Sequence, residues 1–137
     1  MSAPARGAAE DRPPHPASPG PAETARELAR ALAGMTYVPI RRAELEQRFR
    51  DIVAGLAAAL DAEPPPVPGE AGAAAGAALV AAHVTDPAVA GQAMEIIGAR
   101  LLADLGIDGP EPRLRLAALV GGMAGGYARA LRDRTLA

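Results

Sequence analysis

One phenylalanine, two tyrosines and no tryptophan are available to this 137-residue chain, so its core must be built from Leu, Ile, Val, Met and Ala. A core of that kind reaches interior density by bringing helix backbones close together, because few side chains are large enough to fill a wider gap. The glycines sit where such approaches would be made. Gly72 and Gly76 fall inside one helical pattern. Gly121, Gly122, Gly125 and Gly126 interrupt another as two overlapping Gly-x-x-x-Gly pairs. Each glycine inside a helix costs about 1 kcal/mol relative to alanine, so a neighbour at short distance is the expected return. In membranes this spacing marks helix association. Here Arg113, Arg115 and Arg129 bracket the apolar stretch, which points to packing in water instead. Gly76, Gly121, Gly122, Gly125 and Gly126 are therefore the candidates for helix packing or dimerisation.

Proline and glycine divide the rest of the chain. Residues 1–20 are rich in Pro, Ala and Gly, with almost nothing large to bury, and are expected to form a disordered tail that includes His15. The folded domain is expected over residues 21–137. A first helix is predicted from Pro21 to Ala33, with Ala25, Leu28, Ala29 and Leu32 on one face and Gly34 as its cap. Met35 to Ile40 reads as an extended connector, because Pro39 pushes Val38 out of helical geometry. The second helix, Arg42 to Asp61, carries the clearest apolar stripe: Leu45, Phe49, Ile52, Val53, Leu56 and Leu60. Pro64-Pro65-Pro66 follows as a stiff spacer. A third helix is predicted from Glu70 to His83. A fourth runs from Pro87, capped by Asp86, to Leu105 with Gly106 as terminator. The fifth runs from Glu111 to the end, with Leu116, Leu119, Val120, Met123, Tyr127 and Leu131 as its stripe. The expectation is an all-α domain, a compact bundle of about five helices with short connections.

The formal net charge of −2 gives no global field toward nucleic acid or anionic membrane. No cysteine is present, which excludes disulfides and thiolate metal sites. The first twenty residues lack the apolar run of a secretory signal. The longest charge-free run, Ala71 to Thr85, is shorter than the ~20 residues of a membrane span. A cytoplasmic protein with neither membrane nor nucleic-acid partner is expected.

His83 is the one histidine of the expected folded region, and histidine is the side-chain type whose ordinary charge change falls near neutrality. Its plain reading is a half-buried histidine bonded to backbone at a helix end. Its functional reading is a pH-sensing or ligand-contacting residue, lining an apolar pocket with Tyr37 and Tyr127 as further ligand-binding candidates. Haem or metal would lack a second ligand, since cysteine is absent and His15 lies in the tail. No metal site and no cofactor are therefore expected. Glu44, Glu46, Asp51, Asp61, Glu95 and Asp104 read as solvated helix faces. No nucleophile–base arrangement stands out, so no catalytic residue is assigned and no enzyme is expected.

Three segments carry a resemblance. They are Thr36-Tyr37-Val38-Pro39 ahead of an Arg-Ala-Glu helix start, Gly76 to His83 followed by Thr85 and Pro87, and Gly126 to Ala137. In this order and spacing they resemble the N-terminal helical region of actinomycete multidomain cyclic di-GMP signalling proteins. There the third segment leads through a signalling helix into PAS, GGDEF and EAL modules. Arg41 departs from the pattern, which tends to place a capping serine there, and Val84 stands where an aromatic is common. The chain holds no Gly-Gly-Asp-Glu-Phe and no Glu-Ala-Leu, so the resemblance carries over neither cyclase nor phosphodiesterase activity. It implies a non-catalytic sensory or regulatory domain that relays a signal or dimerises through its last helix. Its partners would be a second copy or downstream PAS, GGDEF and EAL modules. A stand-alone small-ligand-binding module, with His83 in an apolar pocket, is the alternative.

Overall fold

A computed structural model describes residues 19–34, 41–62 and 67–136. These form α1 (Pro21–Ala33), α2 (Arg42–Asp61), α3 (Pro68–Ala81), α4 (Pro87–Leu105) and α5 (Pro110–Leu136). No strand occurs among the described residues, and the domain is the expected all-α bundle of five helices. Proline opens α1, α3, α4 and α5, where its fixed φ suits the first turn and its missing N–H is not needed. Asp86 caps α4 by accepting from the Ala88 amide at 2.9 Å. Arg41, at the corresponding position of α2, makes no side-chain cap, as its chemistry requires.

The helices close into a ring. α1 packs between α2 and α4, α3 between α2 and α5, and α5 between α3 and α4. The α3–α5 pair is the most extensive contact, although α4 separates the two in sequence. Phe49, Leu28, Leu56, Leu79, Ile97, Leu119 and Met123 meet inside the ring with no more than 1% of their surface exposed. No helix among the described residues is long and apolar enough to cross a membrane.

Four details correct the expectations. First, α3 starts at Pro68 and ends at Ala81, two residues short of His83. Pro68 supplies the first-turn geometry earlier than Glu70 would, and the helix stops in a left-handed turn at His83, with φ +69°. Second, α5 begins at Pro110, one residue before the expected Glu111. Third, Asp104 is not on a solvated face: 6% of it is exposed, and it accepts a hydrogen bond from the Thr24 hydroxyl at 2.6 Å. Fourth, Gly20, placed in the expected tail, is held against the end of α4: its amide donates to the Asp104 carbonyl at 2.6 Å. Residues 1–18 of the expected tail, the connector 35–40 and the prolines 64–66 lie outside the described residues.

Candidate functional site

The glycines of α3 and α5 make one backbone-to-backbone crossing. A Cβ on Gly72 would stand 2.1 Å from the Leu119 carbonyl oxygen, and one on Gly76 would stand 2.1 Å from that of Met123. From the other side, a Cβ on Gly122 would lie 2.7 Å from the Gly69 oxygen, and one on Gly126 would lie 2.2 Å from the Ala73 oxygen. Each is closer than any real Cβ approaches backbone, so four glycines are required here by space alone. Gly121 and Gly125 differ. Both are exposed, with nothing within 4 Å of a Cβ. Of the candidates read from the sequence, Gly76, Gly122 and Gly126 thus share the crossing inside the chain, and Gly121 and Gly125 share the outer face of α5.

Arginines bind the open ends of this assembly. Arg115 donates to the Leu60 carbonyl in the last turn of α2 at 2.9 Å. Arg48 donates to the Ala81 carbonyl and Arg134 to the Val80 carbonyl, both at 3.3 Å, in the last turn of α3. The last carbonyls of a helix have no partner within it and carry the negative end of the helix dipole, so a guanidinium is well placed there. Arg134 in this way ties the end of α5 to the end of α3.

His83 sits at that same end. Its amide donates to Val80 at 2.9 Å and the next amide, Val84, donates to Leu79 at 3.0 Å. This pair of bonds, with buried Leu79 against buried Val84, is the Schellman motif that closes a helix. The left-handed position it requires is normally glycine, as it is at Gly106 of α4 with φ +71°. His83 is half-buried and occupies that position as a strained non-glycine residue.

Tyr127, on the inner face of α5, is 5% exposed, and its hydroxyl is buried without a hydrogen-bond partner. Burial, and secondarily the Asp86 carboxylate, push the phenol above its ordinary value of 10.0. Beside it lies a hollow of about 420 Å³ lined by Pro87, Tyr127, Ala128, Leu131, Arg132 and Thr135. The raised value fixes a sign. The folded state holds the phenolic proton to higher pH than the unfolded chain, so stability is lost as pH rises above 10.0. Tyr127→Phe is expected to raise stability at pH 7 by about 1 kcal/mol, by removing an unsatisfied buried group. It is also expected to flatten the alkaline loss. Urea unfolding at neutral and alkaline pH checks both; a less stable variant at neutral pH would contradict the geometry.

A larger groove of about 470 Å³ lies between α2 and α3, floored by Ile52, Leu56 and the alanines of α3 and edged by Arg48 and Asp51. A third hollow, of about 320 Å³, lies between α4 and α5. None of these three is lined by His83. The structure therefore brings Tyr127 to a hollow without His83, and Tyr37 lies outside the described residues. Among the described residues no group of three His, Asp or Glu side chains is placed to hold a metal ion. Sequence reasoning missed the helix-capping role of Arg48 and Arg115 and the burial of Asp104, because each depends on a residue at least 33 positions away.

No protein-family model, no curated protein and no solved structure matches this chain.

Proposed function

We propose that this domain is a non-catalytic sensory or regulatory module of a cyclic di-GMP signalling protein, with α5 as its output element. The observation that carries the reading is the tie between the His83 turn and the end of α5. Arg134, in the last turn of α5, donates to Val80, whose carbonyl also accepts from the strained His83 turn. A change at the α3–α4 turn therefore acts on the end of α5 directly. The resemblance of Gly126 to Ala137 to a segment that precedes signalling modules supports the same direction of transfer.

The test joins the chain, through α5, to a diguanylate cyclase module, with one to four residues inserted after Leu136. Cyclase activity is expected to rise and fall with the helical period of about 3.6 residues. His83→Gly relieves the left-handed strain and so keeps or slightly raises the melting temperature, while shifting the activity of the fusion. Activity that is flat across the insertions and indifferent to His83→Gly would contradict the proposal.

A further inference from the structure

The outer face of α5 is apolar where a solvated helix would be polar. From Leu116 to Ala128 no charged side chain occurs, and Ala117, Ala118, Gly121, Ala124, Gly125 and Ala128 are all exposed. At the head of this face Leu114 is 73% exposed. A monomeric soluble protein seldom leaves so continuous an apolar helix face uncovered.

The pattern on this face is specific. Leu114, Ala118, Gly121, Gly125, Ala128 and Arg132 follow one another at alternating steps of four and three, the spacing of a coiled-coil seam. They are also symmetric about Met123: Gly121 mirrors Gly125, Ala118 mirrors Ala128, and Leu114 mirrors Arg132. A sequence symmetric in this way complements itself when two helices run antiparallel with their Met123 levels aligned.

We infer that the outer face of α5 binds a second copy of this chain, antiparallel, with Gly121 and Gly125 at the centre of the contact. This deepens the proposed regulatory reading and rests on it. Two complementarities select the occupant. The first is shape. The exposed Leu114 lies nine residues before Met123, and the hollow of about 420 Å³ beside Ala128, Leu131 and Arg132 lies at the same distance after it. In an antiparallel pair each Leu114 reaches the hollow of the other copy, so one knob and one hole are used twice, as a two-fold interface requires. The second is charge. Glu111 lies one turn before Leu114, and in the antiparallel pair it comes within a turn of Arg132 of the second copy. A parallel pair would instead place Arg132 on Arg132 and Glu111 on Glu111. Glu111 already pairs with Arg115 at 3.0 Å in its own chain, so the intermolecular contact shares that carboxylate.

The crossing of α3 and α5 is untouched by this contact, because Gly122 and Gly126 face inward. Substitutions at Gly125 therefore test association without breaking the fold.

Sedimentation equilibrium of the full chain across a concentration series is the experiment, with circular dichroism and melting on every variant. Wild type is expected to be a reversible dimer. Gly125→Glu, which meets open space in the monomer, is expected to raise the dissociation constant at least tenfold with unchanged helicity and a cooperative melt. Glu111→Arg and Arg132→Glu are each expected to weaken the dimer, and the double swap to restore it, which only the antiparallel arrangement predicts. A wild type that stays monomeric, a dimer that Gly125→Glu leaves intact, or a double swap weaker than both single variants would each overturn the inference. None of these results bears on the insertion series in the cyclase fusion, so failure of the antiparallel contact and failure of the regulatory reading are separable.

Discussion

Gly76→Ala is expected to destabilise the domain by about 3 kcal/mol, at the upper end of what overpacking costs. In an ordinary helix the same change is favourable by about 1 kcal/mol. The sign reverses because the new methyl would stand 2.1 Å from the Met123 carbonyl oxygen and 2.5 Å from the Tyr127 amide nitrogen. Both are backbone atoms fixed by their own helix, so α3 and α5 must separate along their whole crossing. Gly91→Ala, inside α4 with nothing within 4 Å of the new methyl, is the control and should stabilise by about 1 kcal/mol. Urea unfolding of the two variants decides the matter. If Gly76→Ala unfolds at the wild-type midpoint, the close crossing does not exist in solution.

Thr24→Val is expected to cost about 2 kcal/mol, the range for a hydrogen bond to a charged acceptor. Thr24 has none of its surface exposed, and its hydroxyl donates to Asp104, which Arg100 also contacts at 3.3 Å. Valine keeps the shape of threonine and removes the donor, leaving a buried carboxylate with one bond fewer. Asp104→Leu alone strands the Thr24 hydroxyl and should cost a similar amount. The double variant Thr24→Val/Asp104→Leu replaces both partners by apolar groups and should recover most of the loss, because removing a polar pair together is far milder than removing half of it. Additive losses in a double-mutant cycle would show that the two side chains are not partners.

Helix ends were the most legible part of the sequence. α1, α2 and α4 run between the residues that proline, Asp86 and glycine mark, because those signals act through local backbone geometry alone. The apolar stripe of α2 was legible for the same reason: its period belongs to the helix itself. Pairing was not legible. Gly76 and Gly126 each announce a close neighbour, but nothing local says that the neighbour of α3 is α5 and not α2 or α4. Asp104 reads as a surface residue until Thr24 of α1 is placed beside it. His83 carried a local signal that was available: apolar Leu79 and Val84 flank it at the spacing of a Schellman closure. Its place past the end of α3 follows from that pair.

The α3–α5 crossing also restricts how α5 can move. Two helices touching through side chains can roll on one another, because rotamers adjust. Here backbone rests on backbone, and turning α5 about its axis by one residue would drive Leu119 or Met123 side chains into the space Gly72 and Gly76 leave open. Sliding along the axis meets the same steps one turn later. Rotation and piston travel are therefore closed to the segment Leu119–Tyr127. The freedom that remains is a lever motion of the last turns beyond it, pivoting at Tyr127 and restrained at the far end by the Arg134 bond to Val80.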